Sequence, residues 1–213
     1  MKAYLSFFCI LLLFCTEQNL SSEYISVEAI KQTLDKPVKV GFDIDDTVVF
    51  SSVQMQAFAK RFPNYQNPML VPERYEFINC DMLDYLLVKE GIKPVIEMHQ
   101  KRGDEIYFIT ARKTADCVKK GDYSLKNYLS EAFSISNMHD VVYAGPSLTS
   151  NSKTSWIEKM DLKIYYGDDD KDIEAALEAN IQGIRVLRPK IASKKTGYRV
   201  GYYDEPILID SDF

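Results

Sequence analysis

The stretch Val38-Lys-Val-Gly-Phe-Asp-Ile-Asp-Asp-Thr47 decides the fold, because an apolar run within it gives way abruptly to acids. Residues 38–45 have the composition of a buried β-strand, and acidic residues crowd the end of that strand. Asp43 and Asp45 are two positions apart, so in extended backbone their side chains point the same way. The stretch therefore predicts a buried strand that delivers a pair of carboxylates to one edge of a sheet.

After residue 90, predicted helices and strands alternate along the chain. The segment Glu105–Thr110 is a strongly apolar strand candidate, and residues 125–133 carry apolar side chains at the spacing of an amphipathic helix. Apolar strands joined by helices indicate a parallel sheet covered on both faces, so we predict an α/β, Rossmann-like fold of three layers. The other predicted elements are a helix capped by Ser26, helices 92–101, 154–160 and 172–180, and strands 141–144, 163–167, 183–187 and 206–210.

Residues 50–90 interrupt this alternation. They are rich in aromatic residues and contain Pro63, Pro68 and Pro72, which predicts a small inserted cap. The aromatic rings fit two interpretations equally well: a pocket for a nucleobase or aryl group, or packing of the cap onto the core. These rings belong to Phe50, Phe58, Phe62, Tyr65, Tyr75 and Phe77.

Composition and the N-terminus narrow the class of protein. The chain has 213 residues, 46% of them hydrophobic, and a net charge of −5, which fits one folded domain and gives no electrostatic basis for binding nucleic acid polymers. Lys2 and the apolar run 5–15 predict a signal peptide over residues 1–22, because the run is shorter than the roughly 20 residues that span a bilayer. Residues 23–213 would then form a periplasmic or secreted domain without a membrane span. A buried N-terminal helix and a lipid anchor on Cys15 are the alternatives.

Removal of residues 1–22 would leave two cysteines, Cys80 and Cys117. Two cysteines do not form a disulfide framework. We expect both to be unpaired, with one disulfide in an oxidising compartment as the alternative.

Polar residues cluster where the predicted elements begin or end. The strand Glu105–Thr110 runs into Ala111 and Arg112, Lys153 opens a helix, and strand 163–167 runs into four acids within residues 168–172. An open α/β sheet binds ligands at the carboxyl ends of its strands. These clusters are therefore expected to meet in one site.

The chemistry of these residues predicts a metal-assisted phosphoryl transfer. Converging carboxylates of Asp43, Asp45 and Asp168 would repel one another without a cation, and oxygen donors favour Mg²⁺ over Zn²⁺. The side chains of Lys153, Arg112 and Thr110 supply donors for phosphoryl oxygens. We infer that Asp43 attacks phosphorus, while Asp45 protonates the leaving oxygen and later activates water.

Four segments carry a resemblance to known enzymes. Residues 42–48, 109–112, Lys153 and residues 166–173 resemble the four motifs of the haloacid dehalogenase (HAD) superfamily. The similarity is closest to the bacterial class B acid phosphatases and extends over residues 40–52, 98–104, 153–156, 183–188 and 207–213. It implies a HAD fold and a secreted, Mg²⁺-dependent homotetramer that hydrolyses phosphate monoesters such as nucleoside monophosphates and aryl phosphates. It also implies phosphate transfer to alcohols as a side activity.

The resemblance assigns a role to each matching residue. Asp43 would be the nucleophile and Asp45 the acid–base group, and Mg²⁺ would be bound by the side chains of Asp43 and Asp168 and the main-chain carbonyl of Asp45. Thr110, Ala111 and Lys153 would bind phosphate, and Asp172 would support the metal. Ala111 departs from the family, which usually has glycine there, and this would weaken phosphate binding if the position required a positive φ.

Several other residues have an expected place in the fold, and two other functions fit part of the pattern. Arg112 is interpreted as a site residue that binds substrate, with a surface ion pair as the alternative. His99 is expected in the core, and Trp156 is expected to pack. Further acids and a basic stretch are expected to be solvated: Asp169, Asp170, Lys190, Lys194, Lys195 and Arg199. The competing functions are a catalytically silent phosphate-binding or storage protein and a phospho-accepting signalling domain.

Overall fold

The computed structural model describes residues 23–63, 72–146 and 151–213. Within them, seven parallel strands form one sheet in the order β1-β9-β8-β7-β2-β5-β6, and this confirms the predicted α/β class. The strands are β1 (Tyr24–Ile25), β2 (Lys39–Phe42), β5 (Glu105–Thr110), β6 (Val142–Tyr143), β7 (Ile164–Gly167), β8 (Gln182–Arg185) and β9 (Ile207–Leu208).

Strand β2 lies at the centre of the sheet, between β5 and β7. Val40 is in register with Ile106 on one side and Ile164 on the other. Val40 and Phe42 are fully buried, as expected for a sheet covered by helices on both faces. Gly41 has no room for a side chain, because an added Cβ would lie 2.6 Å from a methyl group of Leu162.

Helices connect the strands at nearly the predicted positions. Ser26 caps the first helix as expected, by accepting a hydrogen bond from the amide of Ala29. The helices outside residues 51–86 are α1 (Val27–Gln32), α4 (Lys93–Arg102), α5 (Asp116–Lys120), α6 (Leu125–Ala132), α7 (Thr154–Lys159) and α8 (Asp170–Glu178), and a 3₁₀ turn covers Glu90–Ile92.

Strand β2 ends three residues earlier than predicted. Its last residue is Phe42, and the chain then turns through Asp46, which has a φ of 61°. The amide of Asp46 donates to the carbonyl of Val49 at 2.7 Å, which closes the turn. Aspartate tolerates this left-handed conformation better than most residues, so the acids that indicate a strand end also form the turn.

Two short strands that the sequence did not predict bracket a helical segment. Strands β3 (Val49–Phe50) and β4 (Leu87–Val88) pair antiparallel. We call residues 51–86 between them the helical insertion. It contains α2 (Ser52–Arg61), α3 (Pro72–Glu76), a π-helical turn at Phe77–Asp81 and a 3₁₀ turn at Leu83–Tyr85.

The aromatic rings of the helical insertion mainly pack on each other. The ring centroid of Phe58 lies 4.8 Å from that of Phe62 and 5.6 Å from that of Phe77. Phe50 instead packs against Phe213, at 6.1 Å. Tyr65 lies outside the described residues.

A disulfide joins the helical insertion to helix α5. It links Cys80 and Cys117, which are 37 positions apart, so the expectation of two unpaired cysteines was wrong. The sequence could not reveal the pair because the contact depends on how the insertion folds back over the end of β5.

The predicted signal peptide, residues 1–22, lies outside the described residues. Among the helices that the structure does describe, none has the length and apolar character needed to cross a bilayer.

Candidate active site

Asp43 follows the carboxyl end of β2, and the hydroxyl of Thr47 lies between the carboxylates of Asp43 and Asp168. The Thr47 Oγ1 atom lies 3.0 Å from Asp43 Oδ2 and 3.0 Å from Asp168 Oδ1, and it also accepts the amide of Asp168. Thr47 is fully buried, so this link is shielded from water. Thr47 was not among the predicted site residues, although it lies within the first motif, residues 42–48.

Lys153 joins the first motif to the last. Its Nζ donates to Asp43 Oδ1 and, at 2.6 Å, to Asp172 Oδ1. Burial alone would lower the pKa of Lys153, but the carboxylates of Asp172 and Asp43 hold it well above its usual value. Lys153 is therefore a fixed positive charge at the end of the sheet.

Three buried carboxylates meet beside this lysine. Oxygen atoms of Asp43, Asp168 and Asp172 all lie within 4.8 Å of one another. Burial raises the pKa values of Asp43 and Asp172, and neighbouring acids add to both shifts. We call these three residues the acidic cluster. An excess of buried oxygen donors is the setting in which a divalent cation binds, so the residues fit the expected Mg²⁺.

Arginines from the end of β8 surround the acidic cluster on its other side. The Arg188 guanidinium donates to Asp168 Oδ2 at 2.5 Å and to Asp169 Oδ2 at 3.1 Å. Arg185, which is fully buried, donates to the main-chain carbonyl of Asp168 at 2.8 Å. Neither arginine was predicted as a site residue, although Arg185 is the last residue of β8 and Arg188 follows that strand closely.

A buried lysine fixes the turn after β2. The Nζ of Lys89 donates to the carbonyl of Asp46 at 2.8 Å and to that of Leu187 at 2.6 Å. Burial lowers the pKa of Lys89 to about 8, and burial together with Asp168 raises the pKa of Asp46 to about 6. Lys89 thus ties the left-handed turn to the chain that follows β8.

Asp45 lies in different surroundings from Asp43. Arg112 binds it in a bidentate pair, with Nη2 at 2.6 Å from Oδ1 and Nε at 2.9 Å from Oδ2. Burial raises the pKa of Asp45, but the guanidinium outweighs this effect and holds the pKa below its ordinary value. Arg112 is itself buried, so the surface ion pair considered from the sequence is not what the structure has.

The two residues before Arg112 lie at different depths. Thr110 is fully buried, and its hydroxyl lies 3.5 Å from Asp45 Oδ2. Ala111 is exposed and lines the cavity above the site. Ala111 does not have a positive φ, so alanine in place of glycine introduces no backbone strain here.

These residues open onto a cavity of about 780 Å³ between the sheet edge and the helical insertion. Polar groups line its floor, and Met55, Tyr75 and Ile78 of the insertion line its roof. Such a volume accommodates a small organic ligand. The predicted site residues on its wall are Asp43, Asp45, Ala111, Arg112, Lys153, Asp168 and Asp172.

Several residues that were expected to be solvated are paired instead. Asp169 caps α8 and accepts from Lys194, and Asp170 is buried and accepts from Arg185 and Arg199. The acids therefore act as helix-start charges, as the sequence suggested, but they are not free in solvent.

The two remaining expectations concern packing, and both are confirmed. His99 is fully buried between Asp104, at 2.7 Å, and the hydroxyl of Tyr166, at 2.9 Å. Trp156 packs against the apolar cluster beneath α7.

Comparison with known protein sequences shows the family of this chain. Residues 16–191 match the family model described as HAD superfamily, subfamily IIIB (acid phosphatase). A class B acid phosphatase of Marinomonas sp. (strain MWYL1) is 40% identical over 192 residues, which cover 89% of this chain and 79% of the relative. A class B acid phosphatase of Morganella morganii is 39% identical over 194 residues, which cover 89% of this chain and 80% of the relative. Among solved structures, a haloacid dehalogenase-like hydrolase from Streptococcus pneumoniae aligns with a TM-score of 0.49 at 15% identity, over 82% of this chain and 94% of that one.

Proposed function

Because the chain belongs to the class B acid phosphatases of HAD subfamily IIIB, we propose that it hydrolyses phosphate monoesters through a phosphorylated Asp43, with Mg²⁺ as cofactor. One observation carries the proposal. Asp43, Lys153 and Asp168 are more than a hundred positions apart from the first to the last, yet their charged groups meet in one buried cluster. A single phosphoryl group could therefore contact the proposed nucleophile Asp43, the positive charge of Lys153 and a metal held by Asp168.

In the first proposed step, a carboxylate oxygen of Asp43 attacks phosphorus and the ester oxygen leaves. The Asp43–phosphorus bond forms as the bond from phosphorus to the leaving oxygen breaks. Asp45, in its protonated form, transfers its proton to the leaving oxygen, so that an alcohol departs. Lys153 stabilises the negative charge on the phosphoryl oxygens.

In the second proposed step, water hydrolyses the acyl phosphate. Asp45, now ionised, removes a proton from the water that attacks phosphorus, and inorganic phosphate leaves while Asp43 is restored. Arg112 favours the ionised form that this step needs, because it lowers the pKa of Asp45. The proton taken up here is the one that Asp45 gives to the next ester.

The proposed metal ligands are Asp43 and Asp168 through their side chains and Asp45 through its main-chain carbonyl, with Asp172 as support. Bound Mg²⁺ supplies charge neutralisation for the transferring phosphoryl group. Lys153 pairs with both Asp43 and Asp172, so Asp172 would support the metal indirectly by holding the lysine beside Asp43.

The cavity supports small phosphate monoesters as substrates. Its volume suits an aryl phosphate or a nucleoside monophosphate, and the side chains of Met55, Tyr75 and Ile78 offer an apolar surface to the organic group. We further propose export after cleavage near residue 22, transfer of phosphate to alcohols as a side reaction, and assembly into a homotetramer. The disulfide between Cys80 and Cys117 supports an oxidising compartment.

A substrate panel tests the proposed function. Residues 23–213 are assayed with aryl phosphates, nucleoside monophosphates and sugar phosphates, with Mg²⁺ and with a chelator. We expect turnover that needs Mg²⁺ and that falls by a factor on the order of 10⁴ in Asp43→Asn. Turnover that survives both the chelator and the substitution would reject the mechanism.

A further inference from the structure

One buried amide on the helical insertion lies directly behind Arg112. Gln54, on α2, is fully buried, and its Oε1 accepts from Arg112 Nη2 at 3.1 Å. Its Nε2 donates to the carbonyl of Ile78 at 2.9 Å and to that of Met82 at 2.8 Å. Because the two donor bonds occupy the nitrogen, only the oxygen can face the guanidinium. The orientation of Gln54 is therefore set by the insertion itself.

The π-helical turn Phe77–Asp81 of the insertion binds the same guanidinium. Arg112 Nη1 donates to the carbonyl of Ile78 at 2.6 Å and lies 3.3 Å from Asn79 Oδ1. Asn79 is fully buried, and its Nδ2 donates to the carbonyl of Lys113 at 2.9 Å. Two buried amides and one carbonyl thus define where the far side of the guanidinium can lie.

The near side of that guanidinium holds Asp45. A guanidinium is planar and rigid, so acceptors that fix one edge also fix the direction of the opposite edge. Nε and Nη2 of Arg112 grip both oxygens of Asp45. The helical insertion therefore acts on the direction of the Asp45 carboxyl through Arg112, in addition to the hydrogen bond that the Ser51 side chain makes with Asp45.

Packing alone does not explain why positions 54 and 79 carry amide side chains. Phe58, on the same helix, is buried against rings, and an apolar residue at position 54 would fill space without needing three hydrogen bonds. We propose that Gln54 and Asn79 are positioning residues, which act through Arg112 to aim the carboxyl of Asp45 at the leaving oxygen. This inference rests on the proposed acid–base role of Asp45.

The proposal predicts a dependence on the leaving group. An alkyl phosphate needs a proton on its leaving oxygen, whereas p-nitrophenyl phosphate releases a stable anion and needs little help. A misdirected Asp45 should therefore slow the alkyl ester selectively. A purely structural role for the amides would slow both esters alike.

The experiment compares Gln54→Leu with a matched control, Gln56→Leu, an exposed glutamine on the same helix. kcat/KM is measured for glycerol 2-phosphate and for p-nitrophenyl phosphate, because this constant reports the step in which the leaving group departs. We expect Gln54→Leu to lose about 5–10-fold on the alkyl ester and less than about 3-fold on the aryl ester. Gln56→Leu should change neither value.

A second variant keeps the test valid if Gln54→Leu fails to fold. The outcomes also distinguish the positioning role from the proposed function. Asn79→Ala removes the other amide and should show the same selective loss, with folding followed by thermal denaturation. Equal losses on both esters, no loss, or failure of both variants to fold would overturn the positioning role. A wild-type enzyme that hydrolyses neither ester, or an Asp45→Asn variant fully active on the alkyl ester, would instead reject the proposed function.

Discussion

Asp43 and Asp45 leave the same strand two residues apart, but they face two different regions of the molecule. The side chain of Asp43 is 8% exposed and lies among other carboxylates in the acidic cluster, with a raised pKa that comes first from burial. The side chain of Asp45 is 30% exposed and faces Arg112, which lowers its pKa. One motif thus supplies two carboxyl groups of opposite electrostatic character.

The difference shows that the pKa of each carboxyl group depends on the residues that face it and not on the strand that it follows. Asp172, in the first turn of α8, completes the acidic cluster, and Lys153, just before α7, pairs with two of its three carboxylates. Around Asp45, the charge is balanced by one arginine, which the helical insertion holds in place. The first region suits a cation and a phosphoryl group, and the second suits proton transfer.

The strongest test of the acidic cluster removes one of its charges. Asp168→Asn should reduce kcat/KM by about 10²–10³-fold and weaken the response to Mg²⁺, because an amide replaces a carboxylate in the proposed metal site. Steady-state rates at increasing Mg²⁺ concentration measure both effects.

Asp161→Asn is the matched control for that substitution. Asp161 is exposed, pairs with Lys163 and has a φ of 55°, a conformation that asparagine also tolerates. It should keep wild-type rates and the wild-type Mg²⁺ response. An Asp168→Asn variant with an unchanged Mg²⁺ requirement would contradict the assignment of the acidic cluster to the metal.

The second test concerns the anchoring of the helical insertion. The double variant Cys80→Ser, Cys117→Ser should lower the free energy of unfolding by about 2–4 kcal/mol, because the cross-link no longer limits the unfolded chain. Denaturant unfolding of the variant and of the wild type, each with and without a reductant, measures the change. Reductant should destabilise the wild type alone. Equal stability of the two proteins in the absence of reductant would show that the disulfide does not stabilise the fold.

The smallest expected effect separates charge from geometry beside Asp45. Arg112→Lys keeps the positive charge but loses the bidentate pair, so kcat/KM for an alkyl phosphate should fall about 10-fold. The same substitution should leave the Mg²⁺ response unchanged, because lysine keeps the positive charge and the hydrogen bonds of Arg112 go to Asp45 and the helical insertion. A change in Mg²⁺ affinity would mean that the two regions are not independent.

Much of the sheet edge could be predicted from the sequence, because parallel strands bring their ends to one edge whatever lies between them. Asp43 and Asp168 follow strand ends and Lys153 opens a helix, and the structure brings all three together. Thr47 was missed although it belongs to the same motif. Its hydroxyl reaches Asp168 only because of the geometry of the turn after β2, which the residue type alone does not reveal.

The insertion side was far less predictable. Gln54 looks in the sequence like any polar residue on a helix, and nothing local shows that it is buried against Arg112. The disulfide was missed for the same reason, since both features depend on how an irregular segment folds over the sheet. Arg112 lines the cavity, but its pairing with Asp45 was not predicted from the sequence.

The most direct test of the division between Asp43 and Asp45 is to look for the phosphorylated enzyme. The Asp45→Asn variant is mixed with p-nitrophenyl phosphate and Mg²⁺ and quenched in acid, and the intact protein and its peptides are analysed by mass spectrometry. The good leaving group should allow phosphorylation, while loss of the base should slow hydrolysis, so one phosphoryl group should accumulate on Asp43. A phosphoryl group on any other residue, or its absence while the variant still turns over the ester, would contradict the account.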